Sequence, residues 1–160
     1  MAKRISWDEL FMSIVRLYSK RSTCKYIKAG VVFMLENRIL CAGYNGPPKN
    51  EPHCIEVGCA KEDEHGKKLP AGSGLCRGAH AEMNALTNAH KQHVDLRGGV
   101  TVYCTHSPCN DCAKHLVGLG IKEFVFEKEY KEKEGKLAIQ LLKRRGVEVR
   151  QFKSRKEVKI

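Results

Sequence analysis

The sequence predicts one α/β domain, with three layers in which a mixed sheet of about five strands lies between helices on both faces. Three observations predict it: a length of 160 residues, an apolar content of 42 %, and an alternation of helical and strand patterns along the chain. This length and composition exclude a disordered tail, a collagen-like repeat and a minimal disulfide scaffold.

The first half of the chain predicts one helix and one hairpin. A helix over residues 7–20 is predicted because Ser6 and Glu9 form a capping-box pattern and apolar residues then follow at helical spacing. The apolar runs 31–35 and 38–42 flank a tight turn, which indicates a β-hairpin. This region therefore supplies the first two strands of the sheet.

A long loop separates the hairpin from a second half in which helices and strands alternate. Residues 46–78 lose all periodicity, and a loop of that length in a compact domain is normally functional or held by something such as a metal. The predicted elements after it are a helix from Ala79 to Ala89, a strand 100–104, a helix from Pro108 to Gly118 or Gly120, a strand 123–126, a helix 136–145 and a strand 147–152.

The charge balance suggests anionic partners. The chain has 29 basic and 18 acidic residues, a formal charge of +11, which suits nucleotide phosphates, nucleic acid or a membrane surface. No apolar run is long enough to span a membrane, and the N-terminus turns acidic at Asp8, where a secretory signal needs apolar residues. We therefore expect a cytoplasmic protein, with one domain over residues 1–152 and a basic solvated tail over 153–160.

Eight cysteines in a chain without a predicted export signal indicate metal ligands or buried thiols before disulfides. Cys41 and Cys104 lie inside apolar runs, where a small buried side chain is expected. Apart from a Cys-x-x-Cys pair, four cysteines remain, which equals the ligand number of one closed tetrahedral zinc site: Cys24, Cys54, Cys59 and Cys76.

Two short motifs, each at the start of a predicted helix, carry the chemistry: His80-Ala81-Glu82 and Pro108-Cys109-Asn110-Asp111-Cys112. Cysteines three apart lie on one helical face, and a helix N-terminus favours the thiolate that binds metal. With His80 as a third ligand, zinc keeps its fourth position for water, as in catalytic sites. Glu82 is then free to take a proton from that water, so we expect hydrolysis. A lone Cys-x-x-Cys is often structural, but the combination favours catalysis.

At these residues the chain resembles the zinc-dependent nucleobase deaminases. Within them it is similar to the deoxycytidylate (dCMP) deaminases of the late-competence-operon branch, over about residues 7–150. The long loop before His80 is shared with dCMP deaminases and absent from tRNA adenosine deaminases. Further matching segments are Arg21-Ser22-Thr23-Cys24, Gly43-Tyr44-Asn45-Gly46, Pro52-His53-Cys54, Gly58-Cys59 and Ala79–Ala85.

The resemblance implies a cytidine-deaminase-like fold and hydrolysis of dCMP to dUMP and ammonia, which supplies dUMP for dTMP synthesis. It implies that His80, Cys109 and Cys112 hold zinc and that Glu82 carries the proton. It also implies substrate contacts, which are Asn45 to the sugar 3′-hydroxyl, the backbone of Ala81 and Ser107 to the pyrimidine edge, and Tyr130 near the nucleotide. A phosphate-binding cation is expected as well, with Lys25, Lys28 and Arg77 as unranked candidates.

The resemblance further suggests a second zinc, because some members use one to tie the long loop to the first strand region. Cys24 and Cys54 match positions used there, and this chain offers Cys59 and Cys76 in place of the remaining His and Glu of the viral pattern, with His53 in reserve. It also implies a homo-oligomer, often a hexamer, with dCTP as activator, dTTP as inhibitor, and Mg²⁺ accompanying such an effector.

Two other functions stay open at this stage. One is a deaminase acting on tRNA or another nucleic acid, for which the charge of +11 is a motive. The positive charge of this chain is spread thinly along the sequence, however, and no patch of interleaved aromatic and basic residues stands out. The other is a non-enzymatic binding module stabilised by zinc. His106, two residues before Pro108, is a candidate for lining the pocket.

Overall fold

The computed structural model describes residues 4–70, 73–130 and 132–153. Its strands are β1 (Gly30–Leu35), β2 (Arg38–Tyr44), β3 (Thr101–His106), β4 (Glu123–Lys128) and β5 (Glu148–Gln151). Its helices are α1 (Trp7–Ser19), α2 (Cys54–Val57), α3 (Ala81–Lys91), α4 (Asn110–Leu119) and α5 (Glu132–Arg144). The strands form one mixed sheet in the order β2-β1-β3-β4-β5, with β3, β4 and β5 parallel and β1 antiparallel to both of its neighbours.

Every predicted helix and strand is present, and the differences lie at the ends. The last helix begins at Glu132 rather than near Lys136, and the short helix α2 inside the long loop was not predicted. Of the predicted tail, residues 154–160 lie outside the described residues, as do residues 1–3 of the predicted domain. No helix in the described ranges has the length and apolar character needed to cross a membrane.

Two buried clusters on opposite faces of the sheet make the predicted three layers. On one face, α1 buries Phe11, Met12 and Val15 against Val32 of β1 and Val125 of β4. The other face carries α3, α4 and α5, whose small and aliphatic side chains cover β1 to β4. The core residues there include Val31, Phe33, Ala85, Val102, Leu116, Phe124, Phe126 and Leu142.

The local signals in the first half behave as predicted. The Ser6 hydroxyl accepts a hydrogen bond from the Glu9 backbone at 3.2 Å, and the Glu9 carboxylate accepts one from the Ser6 backbone at 2.8 Å. Glu36 and Asn37 both have positive φ, 50° and 62°, as a type I′ hairpin turn requires. Cys41 is buried beside the same hairpin, which confirms its role as a small core residue.

The long loop leaves and rejoins the fold at one point. Gly46, just after β2, pairs with Ala79 through two backbone hydrogen bonds of 3.2 and 2.9 Å. That pairing places Ala79, two residues before α3, beside the end of β2. Gly43 lets α3 approach, because a Cβ there would lie 2.6 Å from the Ala81 carbonyl oxygen. The start of α3 is therefore fixed against the sheet.

Candidate active site

One imidazole and two thiols converge where α3 and α4 begin. His80 and Cys109 are the N-cap residues of these helices, and Cys112 lies in the first turn of α4. The His80 Nδ1 atom lies 3.3 Å from the Cys109 Sγ and 3.4 Å from the Cys112 Sγ. Among the described residues, this is the only group of three or more His, Cys, Asp and Glu side chains whose ligand atoms all lie within 4.8 Å of one another.

The donor set fits zinc. Tetrahedral zinc with Zn–S of about 2.3 Å and Zn–N of about 2.1 Å separates nitrogen from sulfur by about 3.6 Å, close to the observed values. The Cys109 sulfur accepts hydrogen bonds from the Cys112 thiol, from His80 and from the Cys112 backbone, and these lower the pKa of Cys109 to about 4. Cys109 is therefore a ready thiolate ligand, and the hydrogen bond that the Cys112 thiol makes to it, together with burial, raises the pKa of Cys112.

Glu82 lies in the first turn of α3, beside this cluster. Its side chain is buried, with only 5 % of the residue exposed, and this desolvation raises the pKa of its carboxyl group. His80 and Cys109 are its charged neighbours, and the Cys112 thiol forms a hydrogen bond with it. A carboxyl group that binds a proton more readily than usual, next to a site for metal-bound water, suits proton transfer at neutral pH.

Ser107 and Tyr130 border the cluster and are joined to each other. The Ser107 hydroxyl accepts a hydrogen bond from the Tyr130 backbone at 2.8 Å, and the Tyr130 ring meets the His80 ring edge-on with centroids 6.4 Å apart. Burial raises the pKa of Tyr130 to about 12, so its hydroxyl stays protonated. Both predicted residues therefore lie at the candidate site.

Gly135 of α5 makes this junction feasible, and sequence reasoning missed it. A Cβ at Gly135 would lie 2.3 Å from the Tyr130 carbonyl oxygen and 3.0 Å from the Ser107 hydroxyl. The sequence carried no signal for it, because the predicted helix begins after it, at residue 136. With α5 beginning at Glu132, Gly135 lies inside a helix, where glycine is otherwise unfavourable and indicates a packing reason.

Asn45 and Ala81 are the remaining two predicted substrate contacts, and they lie just after β2 and at the start of α3. The Asn45 side chain accepts from the Ala29 backbone at 2.7 Å and donates to the Ile27 carbonyl at 2.8 Å, so it anchors the segment before β1. Its contact with a sugar stays a prediction. Ala81 is fully buried at the start of α3, so only its backbone is available to a ligand.

The four remaining cysteines do not meet as one group. Burial raises the pKa of Cys54, and the nearby sulfurs of Cys59 and Cys24 raise it further, so these three are neighbours. Cys76 is exposed and instead lies where its charge helps to raise the pKa of Tyr130, beside the candidate active site.

The three candidate phosphate ligands also differ. Lys25 forms an ion pair with Glu62 at 3.1 Å, and Arg77 donates to the Gly58 carbonyl at 3.0 Å, so both are committed to holding the long loop. Within the described part of the chain, the side chain of Lys28 makes no hydrogen bond or ion pair.

Known proteins resemble the chain along most of its length. Residues 5–128 match the family described as the cytidine and deoxycytidylate deaminase zinc-binding region. A deoxycytidylate deaminase of Saccharomyces cerevisiae is 35 % identical over 98 % of this chain and 48 % of its own length. ComE operon protein 2 of Bacillus subtilis is 34 % identical over 93 % of this chain and 72 % of its own. This chain therefore spans about half the length of the yeast relative.

A solved structure gives the same result. The dCMP deaminase of cyanophage S-TIM5, in complex with dCMP and dUMP, superposes with a TM-score of 0.75 and 32 % identity, covering 94 % of this chain and 100 % of the phage chain. The predicted fold class is confirmed by this likeness together with the observed sheet.

Proposed function

The chain belongs to the cytidine and deoxycytidylate deaminase family, and from that premise we propose that it hydrolyses dCMP to dUMP and ammonia. The observation that carries this proposal is the convergence of His80, Cys109 and Cys112 beside the buried carboxyl group of Glu82. The dCMP and dUMP bound to the phage relative support the choice of nucleotide.

The proposed chemistry needs a metal and one proton carrier. His80, Cys109 and Cys112 would hold zinc, which lowers the pKa of a bound water to about 7. Glu82 takes a proton from the attacking water and delivers it to the ring nitrogen. The water oxygen bonds to the pyrimidine C4, and the bond from C4 to the amino group then breaks. Glu82 takes the second proton of the water from the new C4 hydroxyl and gives it to the departing amine, which leaves as ammonia while C4 becomes the carbonyl carbon of dUMP.

The proposed contacts with the pyrimidine ring and the sugar come from residues just after β2, β3 and β4 and from the start of α3. The Ser107 N–H already donates to the Lys128 carbonyl at 2.8 Å, so a backbone contact from Ser107 to the pyrimidine must come from its own carbonyl oxygen. That oxygen is an acceptor suited to the amino group of cytosine. The backbone of Ala81 meets the pyrimidine edge, Asn45 bonds the sugar 3′-hydroxyl, and Tyr130 borders the nucleotide.

We also propose a second zinc site, in which three cysteines rather than four are ligands. Cys24, Cys54 and Cys59 are neighbours, and the His53 Nδ1 atom lies 3.1 Å from the hydroxyl of Thr23, the residue before Cys24. We therefore expect His53, rather than Cys76, to complete this site.

Assembly and regulation complete the proposal. Exposed apolar side chains on α1, among them Trp7, Leu17 and Tyr18, support a homo-oligomer, with a hexamer as the expected size. We further propose a cytoplasmic location, with dCTP and dTTP as effectors and Mg²⁺ accompanying them.

Ammonia release from three substrates tests the reaction. The purified zinc-loaded protein is incubated with dCMP, deoxycytidine and an adenosine-containing tRNA stem-loop. We expect dCMP to react fastest. Turnover of the stem-loop alone would replace the nucleotide proposal with a nucleic-acid one, and no turnover of any substrate would favour a binding module.

A further inference from the structure

His106 and Lys128 form a pair at the edge of the sheet that leads to the candidate active site. They are register partners at the ends of β3 and β4, and the Ser107 N–H continues the pairing to the Lys128 carbonyl. Side chains two residues apart on a strand share a face. Cys104 and Phe126, two residues before this pair, lie in the core beneath α3, α4 and α5. His106 and Lys128 therefore face the side of the sheet that carries the catalytic helices.

A hydrogen bond to Thr105 holds the His106 ring in place. The Gly30 N–H donates to the Thr105 hydroxyl at 3.1 Å, and that hydroxyl lies 3.0 Å from the His106 Nδ1. The hydroxyl occupies Nδ1, so Nε2 is the ring nitrogen left for a ligand, and it binds an anion when it carries a proton. Burial lowers the pKa of His106, the Lys128 ammonium lowers it further, and the Glu127 carboxylate opposes this change.

No acid within the described residues neutralises Lys128. Its ammonium makes no hydrogen bond or ion pair there, and the carboxylate of the preceding Glu127 is bound by Arg16 of α1 on the opposite face. An ammonium with no acidic partner among the described residues, next to a ring nitrogen that can donate an N–H, is a combination that recognises a phosphate.

The pair also lies within reach of the reacting centre. Three residues of chain join His106 to Cys109, which span at most about 11 Å when fully extended. A mononucleotide has its phosphate at one end and the reacting ring at the other. With the ring at the zinc ligands, its phosphate can extend to this edge of the sheet.

We propose that the Nε2 of His106 and the Nζ of Lys128 bind the 5′-phosphate of the substrate and so distinguish nucleotide from nucleoside. This inference rests on the proposed function. It adds two residues that sequence analysis did not select as phosphate ligands, and it leaves Lys25 and Arg77 to their contacts with the long loop.

The test compares kcat/KM for dCMP and for deoxycytidine. We expect Lys128→Met to lower the dCMP value by about 10- to 100-fold through KM, with deoxycytidine unchanged, because a hydrogen bond to a charged group is lost. His106→Leu should lower it by about 10-fold, and His106→Gln, which keeps a donor near the Nε2 position, should restore most of the loss. Lys122→Met is the matched control, an exposed lysine at the opposite end of β4.

Binding of dUMP and deoxyuridine, measured by calorimetry, gives a readout independent of turnover. Lys128→Met should weaken dUMP by the same factor and leave deoxyuridine alone. Equal loss for both ligands, or a selective loss in Lys28→Met instead, would overturn the assignment. A wild-type protein that deaminates dCMP no better than deoxycytidine would remove the phosphate site while leaving the reaction in place. Failure to turn over dCMP at all would refute the proposed function itself.

Discussion

The candidate active site and the long loop are held in place by different means. His80, Cys109 and Cys112 sit at helix N-termini that follow directly on strand ends or a backbone bridge, so regular structure sets their positions. The loop is held by side chains from distant parts of the chain. The Tyr26 hydroxyl and the Lys25 ammonium both bind the Glu62 carboxylate, and the Lys68 ammonium lies 4.0 Å from the centre of the Tyr26 ring.

The position of the site is therefore specified by short sequence motifs, whereas the position of the loop is specified only by tertiary contacts. The site depends on elements whose limits are visible in the sequence, whereas the loop depends on pairs more than 30 residues apart, such as Tyr26 and Glu62. Removing a group from the site should therefore abolish chemistry without moving the chain. Removing a group from the loop should loosen the chain without abolishing chemistry.

The largest expected effect tests the first half of this contrast. Glu82→Gln should lower kcat for dCMP by about 10³- to 10⁴-fold, because an amide cannot carry the proton. Zinc content and thermal unfolding should stay at wild-type values. Glu64→Gln, an exposed carboxylate in the loop, is the control and should be fully active. Unchanged turnover in Glu82→Gln would reject the proposed mechanism.

Metal content should distinguish the two regions directly. We expect about two zinc ions per chain, as each proposed site takes one. Cys109→Ser should lose one of them together with all turnover. Cys54→Ser should also lose one but keep most turnover, and it should make the loop easier to cleave with protease. Atomic emission spectrometry measures the metal, and a wild-type value of about one would remove the second site.

A glycine pair sharpens the contrast at intermediate magnitude. Gly135→Ala should lower the free energy of unfolding by about 1–3 kcal/mol, because its Cβ would overlap the Tyr130 carbonyl. Gly118→Ala, in α4, has no atom within 4 Å of the new Cβ and should raise it by about 0.5 kcal/mol. Urea unfolding measures both. Equal effects would mean that α5 does not hold the Ser107–Tyr130 junction.

The smallest effect should be a pH dependence of the loop. The Tyr26 hydroxyl and Lys25 lower the pKa of Glu62. The contacts of the ionised Glu62 carboxylate with these two residues are therefore complete above the ordinary carboxylate pKa range, and they weaken as the pH falls through the lowered pKa. Proteolysis of the loop should rise over that acid range, and Glu62→Gln should show the raised rate at every pH. A loop cleaved equally fast in both proteins at neutral pH would show that Glu62 does not hold it.

Much of the fold and the metal site could be predicted because their signals are local. Capping, alternation and the Pro-Cys-x-x-Cys spacing each act within one or two turns of chain, and the structure places all of them as expected. The start of α5 was missed because residues 132–135 carry charge and a glycine but no apolar periodicity. The separation of Cys76 from the other loop cysteines could not be predicted, because no local rule fixes where a loop passes.

The bridge between Gly46 and Ala79 has a consequence for variation in this architecture. Because this bridge closes the long loop at its base, the length of the loop does not set the position of the His80 imidazole that follows it. Closing a longer or shorter loop changes the entropy only logarithmically, by about 0.6 kcal/mol for each doubling. Insertions and deletions beyond that base would therefore remodel the rim of the pocket while the imidazole stays where it is.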